Sequence, residues 1–249
     1  MVTYSGLIEF EHEVSKSTPI NDHAIALQAG DAVAASAILK RATGAQTMDD
    51  ESITAFSELV AQQYNLYRLG LVDEHIFKPR GLSSTQFYSG QQQAFQPQLA
   101  AQLDHQASTF QLGVQLIVAG VDQDGAHIHG IDPPAGLYME YEAIGFHAIG
   151  SGAIHALQSL IELKQAPTRS LVDSVTNVVI SKRRAEVAPG VGHDSDIFVV
   201  RQSQVTRLED DVVERVDAIY QASLERSRER DSEKLTDLAT ILDEGKVAP

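Results

Sequence analysis

Histidine is the residue type in this chain best suited to chemistry, because its charge changes near neutral pH and its ring nitrogens bind metals. His127 and His129 stand two apart in an alternating run. On a strand both rings share one face and can address a single metal ion. Spacing fixes no carboxylate beside them, so a solvent-facing pair is the expectation, and no metal or cofactor is expected. His147 and His155 flank Gly150-Ser151-Gly152. They can act as acid and base, but packing against strand and helix is the plainer account. Ser151 between two glycines reads as a turn residue, and the three-residue segment is too short for a phosphate loop. Lys16, just past a strand end, reads as an exposed lysine. The chain has no cysteine, which removes thiol nucleophiles, disulfides and thiolate metal sites.

The elements that must position these residues follow from hydrophobic periodicity. Ile8, Phe10, His12 and Val14 alternate with Glu9, Glu11 and Glu13, which predicts a half-buried strand over 7–14. A short apolar run at 23–29 ends at Gly30-Asp31, and an alanine-rich helix over 32–41 follows. Asp49 or Asp50 is expected to cap the next helix, whose apolar face is Ile53, Phe56, Val60, Tyr64 and Tyr67. Residues 70–110 carry Pro79, Gly81 and a glutamine run at 91–93, and read as a helical insertion or cover with a helix near 97–106. Strands are predicted at 114–119 and 126–131, joined by an Asp124-Gly125 turn, with further strand over 137–148.

Helices are expected at 153–163 and 171–184, the latter with Leu171, Val175, Val178 and Val179 as its apolar residues. A strand at 197–200 precedes a helix over 209–241. Val212, Val213, Val216, Ile219 and Tyr220 are the expected buried part, and residues 221–249 form a charged helical extension. The acidic run at 209–211 and the basic run Lys182-Arg183-Arg184 read as charges complementing helix dipoles. Strands and helices do not strictly alternate. The order predicts one α+β domain over 1–249, with antiparallel sheets covered by helix pairs, and argues against a doubly wound parallel sheet.

Of the 249 residues, 43% are hydrophobic and 21% charged, as in soluble globular proteins. The formal charge of −15 repels nucleic acid and anionic membranes, so neither is an expected partner. No 18-residue apolar stretch and no signal peptide is found, and a cytoplasmic protein is expected.

Several pieces resemble, in order, the central block of proteasome-type α and β subunits. They are the run 116–125, then Ile131-Asp132-Pro133, then residues 148–152 with Ala156 and Leu160 following. Ala29-Gly30-Asp31-Ala32 resembles that family's strand-to-helix junction, and residues 2–6 the segment after its second strand. Residues 196–200 and the helix ending at Tyr220 stand where the family has its last strand and helix. The resemblance spans about 2–220, excluding 70–110. It implies the N-terminal-nucleophile hydrolase fold, a four-layer αββα sandwich, with the first two strands apparently missing here. It also implies self-association into a ring, a protein or peptide substrate, and intracellular proteolysis.

In that family an N-terminal threonine supplies both hydroxyl nucleophile and amine base. Carried over residue by residue, the resemblance implies Lys16 as the charge-tuning lysine and Ser151 as the turn serine. Glu186 is the nearest candidate for the acid after the helix. Thr3 matches a threonine lining the cleft. Leu27 replaces a glycine beside the substrate, and Ala29 lies in the same substrate-facing segment. The nucleophile and the second-strand carboxylate have no counterpart. The expectation is a non-catalytic, structural or gating ring subunit. The alternative is an active threonine-type peptidase whose N-terminal segment lies outside this sequence, and a third is an unrelated αβ binding domain.

Overall fold

The computed structural model describes residues 2–4, 8–10, 16–46 and 52–243. Near the start, β1 (Val2–Tyr4) and β2 (Ile8–Phe10) pair antiparallel, with Thr3 opposite Glu9. The strand expected across 7–14 is thus represented by β2 alone, the rest of that run lying outside the described residues.

The main sheet has five antiparallel strands in the order β3 (Ser17–Asn21), β4 (Ala24–Gly30), β5 (Val114–Val121), β6 (Ala126–Asp132) and β7 (Leu137–Glu140). Asn21 Oδ1 accepts the His23 N–H at 3.0 Å and shapes the β3–β4 turn. The expected Asp124-Gly125 turn joins β5 to β6, and Asp122 N donates to Gly125 O at 2.9 Å. The run expected to be strand over 137–148 is shorter. Its strand ends at Glu140, and a hydrogen-bonded turn follows in which Gly145 N donates to Tyr141 O.

Pleating divides the sheet into two faces. Ala24, Ala26, Val114, Leu116, Val118 and Ile131 point to one face and form the main core with α1 (Ala32–Ala45) and α2 (Ile53–Val72). Asp31 caps α1 by accepting the Val33 and Ala34 N–H groups. Gly30 permits the strand-to-helix corner. Its φ is +90°, and a Cβ there would lie 1.8 Å from Gly113 O. Ser52 caps α2, accepting from Ala55 N, and the Ile53 N–H donates to Asp122 Oδ2 at 2.9 Å. The expected caps, Asp49 and Asp50, lie outside the described residues. Phe56, Val60 and Tyr64 are buried as expected, and the Tyr64 hydroxyl donates to Val114 O.

Residues 73–109 carry several helical segments joined by turns, among them a wide turn at Asp73–Phe77, α3 (Ser84–Tyr88) and α4 (Pro97–Thr109). They build a satellite core from Val72, Ile76, Phe77, Phe87, Leu103 and Ala107. Arg68 joins it to α2, donating to the carbonyls of Ala107, Ser108 and Phe110 at the end of α4.

The second half pairs α5 (Ala153–Glu162) with α6 (Leu171–Ala185), followed by a ribbon of β8 (Phe198–Arg201) and β9 (Gln204–Arg207) and by α7 (Asp210–Asp243). β9 was not expected, because its Gln204-Val205-Thr206-Arg207 holds a single aliphatic residue. β4 and β6 occupy both edges of β5, so β8 reaches β5 across a face of the sheet. Of the apolar residues of α6, Leu171 and Val178 are exposed and Val179 is buried; on α7 Ile219, expected to be buried, is exposed, whereas Val213 is buried. No described helix is long and apolar enough to cross a membrane.

Candidate functional site

The sheet face turned away from α1 and α2 carries the Gly150-Ser151-Gly152 turn. Gly150 N donates to Gln115 Oε1 at 3.0 Å, and Gln115 Nε2 donates to Asp132 Oδ1 at 2.9 Å, so two strands pin the turn. Each of its glycines is required by a close neighbour. A Cβ on Gly150 would lie 3.1 Å from the Ala29 Cβ, and one on Gly152 would lie 2.9 Å from the Ala185 Cβ and 3.0 Å from Val191 Cγ2. Ala29, the turn and the loop after α6 therefore meet at one place. Leu27 shares the face of Ala29 by alternation and is half-buried.

Ser151 is exposed, and its Oγ makes no hydrogen bond among the described residues. Lys16 is exposed. Its carbonyl accepts the Gln28 N–H at 2.9 Å, and its ammonium makes no ion pair among the described residues. Glu186 is engaged elsewhere. Its carboxylate meets Lys182 at 2.6 Å, Arg183 at 2.8 Å and His193 Nδ1 at 2.8 Å. Burial alone would raise its pKa, but hydrogen bonds from these three groups outweigh it and hold the carboxyl at about 2. Lys182 also donates to Gly192 O and His193 O, and Arg183 to His193 O and Asp217. The basic run expected to complement a helix dipole thus clamps the loop after α6 and ties α6 to α7.

His147 stacks on Tyr141, centroids 3.8 Å apart, over Gly130, where a Cβ would lie 2.8 Å from the Tyr141 ring and 3.2 Å from the His147 ring. Burial pushes its pKa down, against the attraction of Asp132, and packing is its role as expected. His155 is exposed.

The opposite face holds a cluster that spacing did not disclose. His127 and His129 share the α2 side of β6, but they do not face solvent. His129 is fully buried, and the His127 side chain is 15% exposed. The reason is α2, which lies over β6 and brings Ser57 to 2.8 Å from His129 Nδ1. Asp122 Oδ1 lies 2.9 Å from His127 Nε2. Glu142, just beyond β7, places Oε1 2.7 Å from His129 Nε2 and 3.4 Å from His127 Nδ1. Glu142 Oε1 also accepts the Ile128 N–H at 3.1 Å. Burial would raise the Glu142 pKa, yet backbone N–H groups and the two imidazoles hold it below the ordinary range. Burial lowers the His129 pKa despite the nearby Glu142. Of these partners, Asp122 had a sequence signal, five residues before His127 across a tight turn. Glu142 and Ser57 had none.

No protein-family model matches the sequence, and no curated protein matches it.

Proposed function

We propose that this chain is a ring-forming subunit of the proteasome type, with the four-layer αββα sandwich of that family, serving assembly in place of peptide hydrolysis. The observation that carries the reading is the Gly150-Ser151-Gly152 turn, held against Ala29 at the end of β4 and walled by Ala185 and Val191. That juxtaposition joins the segments whose order suggested the family. The antiparallel sheet with a helix pair on one face, and a second helix pair beyond the turn, supports the same architecture.

The side chains favour a structural role. A hydrolase needs a nucleophile hydrogen-bonded to a base. Ser151 has no base beside it among the described residues, and Lys182, Arg183 and His193 already occupy Glu186. The other reading, a threonine-type peptidase, requires a mature chain that begins with threonine.

N-terminal sequencing of the protein from its native source, paired with a peptide-hydrolysis assay, tests the proposal. The expected result is a mature chain without an N-terminal threonine and no hydrolysis. An N-terminal threonine with hydrolysis abolished by Lys16→Ala would establish the peptidase in its place.

A further inference from the structure

The His127, His129 and Glu142 cluster has a protonation pattern that can be worked out atom by atom. A serine hydroxyl carries one hydrogen. Ser57 Oγ donates that hydrogen to Ile53 O at 2.8 Å. At its 2.8 Å contact with His129 Nδ1 it therefore accepts, and Nδ1 carries the ring proton. In the neutral ring Nε2 is then a bare lone pair. It lies 2.7 Å from Glu142 Oε1 and forms no hydrogen bond to it. His127 follows the same logic. Nε2–H donates to the Asp122 carboxylate, which can only accept, so Nδ1 keeps its lone pair and lies 3.4 Å from Glu142 Oε1.

Two ring nitrogens and a carboxylate oxygen thus converge. The three ligand atoms all lie within 4.8 Å of one another. Two lone pairs and a carboxylate oxygen in a largely buried space repel one another unless a cation stands among them. Buried acceptors left without a partner are costly, and this set is the donor set of a metal.

We propose that His127 Nδ1, His129 Nε2 and Glu142 bind a divalent transition metal ion, Zn²⁺ foremost, at the junction of β6, the turn after β7 and α2. Two imidazoles and one carboxylate form a known three-ligand zinc set that leaves a fourth position for water. Glu142, 30% exposed, marks the side on which solvent reaches the ion. Asp122 and Ser57 are the outer partners that fix the two tautomers, the usual arrangement behind metal-bound histidines. The ion would tie β6 to the turn after β7. This inference stands apart from the ring reading, which uses the other face of the sheet.

The test is titration of the metal-stripped full-length chain with Zn²⁺, followed by calorimetry and by ¹⁵N shifts of the histidine rings. The expected result is one ion per chain, a raised melting temperature, and large shifts confined to His127 Nδ1 and His129 Nε2. Glu142→Gln and His127→Gln should abolish stoichiometric binding, and Asp122→Asn should weaken it by roughly 10–100-fold. These positions are partly exposed or replaced by isosteres, and circular dichroism checks that the variants fold. The wild-type ring shifts decide the matter without any variant. Absence of one-to-one binding, or metal shifts on other histidines only, would overturn the proposal.

Discussion

Glu186 gathers three cationic or titratable partners around one carboxylate, and its energetics can be checked through pH. Its folded pKa, about 2, lies below the ordinary 4.5. A depressed carboxyl contributes stability that is present above the unfolded pKa and is lost as pH falls through the folded one. The shift corresponds to at most about 3 kcal/mol. The net is smaller, because the same burial lowers the Lys182 pKa in spite of the pairing. Glu186→Gln is therefore expected to be less stable than wild type at pH 7 in urea unfolding, with the gap closing toward pH 2. Gly30→Ala should cost about 3 kcal/mol or more, because the added methyl meets the Gly113 carbonyl and the backbone conformation disfavours any side chain. Thermal unfolding of that variant measures it. At this scale the sequence was legible in part. Alternation put His127 and His129 on one face, but only α2, contributed by residues seventy positions earlier, decides that the face is covered. The Lys182 and Arg183 spacing to Glu186 is helical (i, i+4 and i, i+3), so a clamp could have been read there. Dipole complementarity was the simpler account, and it missed the loop carbonyls.

Elements were more legible than sites. The β5–β6 hairpin, with its apolar run and Asp124-Gly125 turn, and the periodic face of α2 stand as expected. These patterns are local, and the covering partner does not change them. β9 was missed because its pairing with β8 is a tertiary event that its own composition does not encode. Exposure on α6 is likewise not encoded in its own pattern. Leu171 and Val178 repeat at helical spacing, yet in the single chain that stripe faces outward. The 73–109 layer supplies a prediction at this scale. Arg68 is nearly buried and satisfies the final carbonyls of α4. Arg68→Met leaves those acceptors unpaired and should cost about 2 kcal/mol. Hydrogen exchange should quicken across α3 and α4 before it changes in the five-stranded sheet. Uniform quickening throughout the chain would show that this layer does not open on its own.

For the whole molecule, the exposed apolar side chains call for an explanation. Ile154 and Ile161 on α5, seven residues apart, lie on one side of that helix, and Leu171 and Val178 repeat the spacing on α6. Apolar stripes of this kind commonly mark contact surfaces between subunits. On the ring proposal a second copy of the chain covers them. The double variant Ile154→Glu, Ile161→Glu should then lower the assembled mass while leaving the circular dichroism of the subunit unchanged. The net charge of −15 opposes close association, so the assembly should also tighten as salt screens that repulsion. The most direct measurement is native mass spectrometry of the full-length protein near neutral pH. The account predicts a single closed multimer with one fixed copy number. A monomer that persists at every concentration and salt level tested would contradict it.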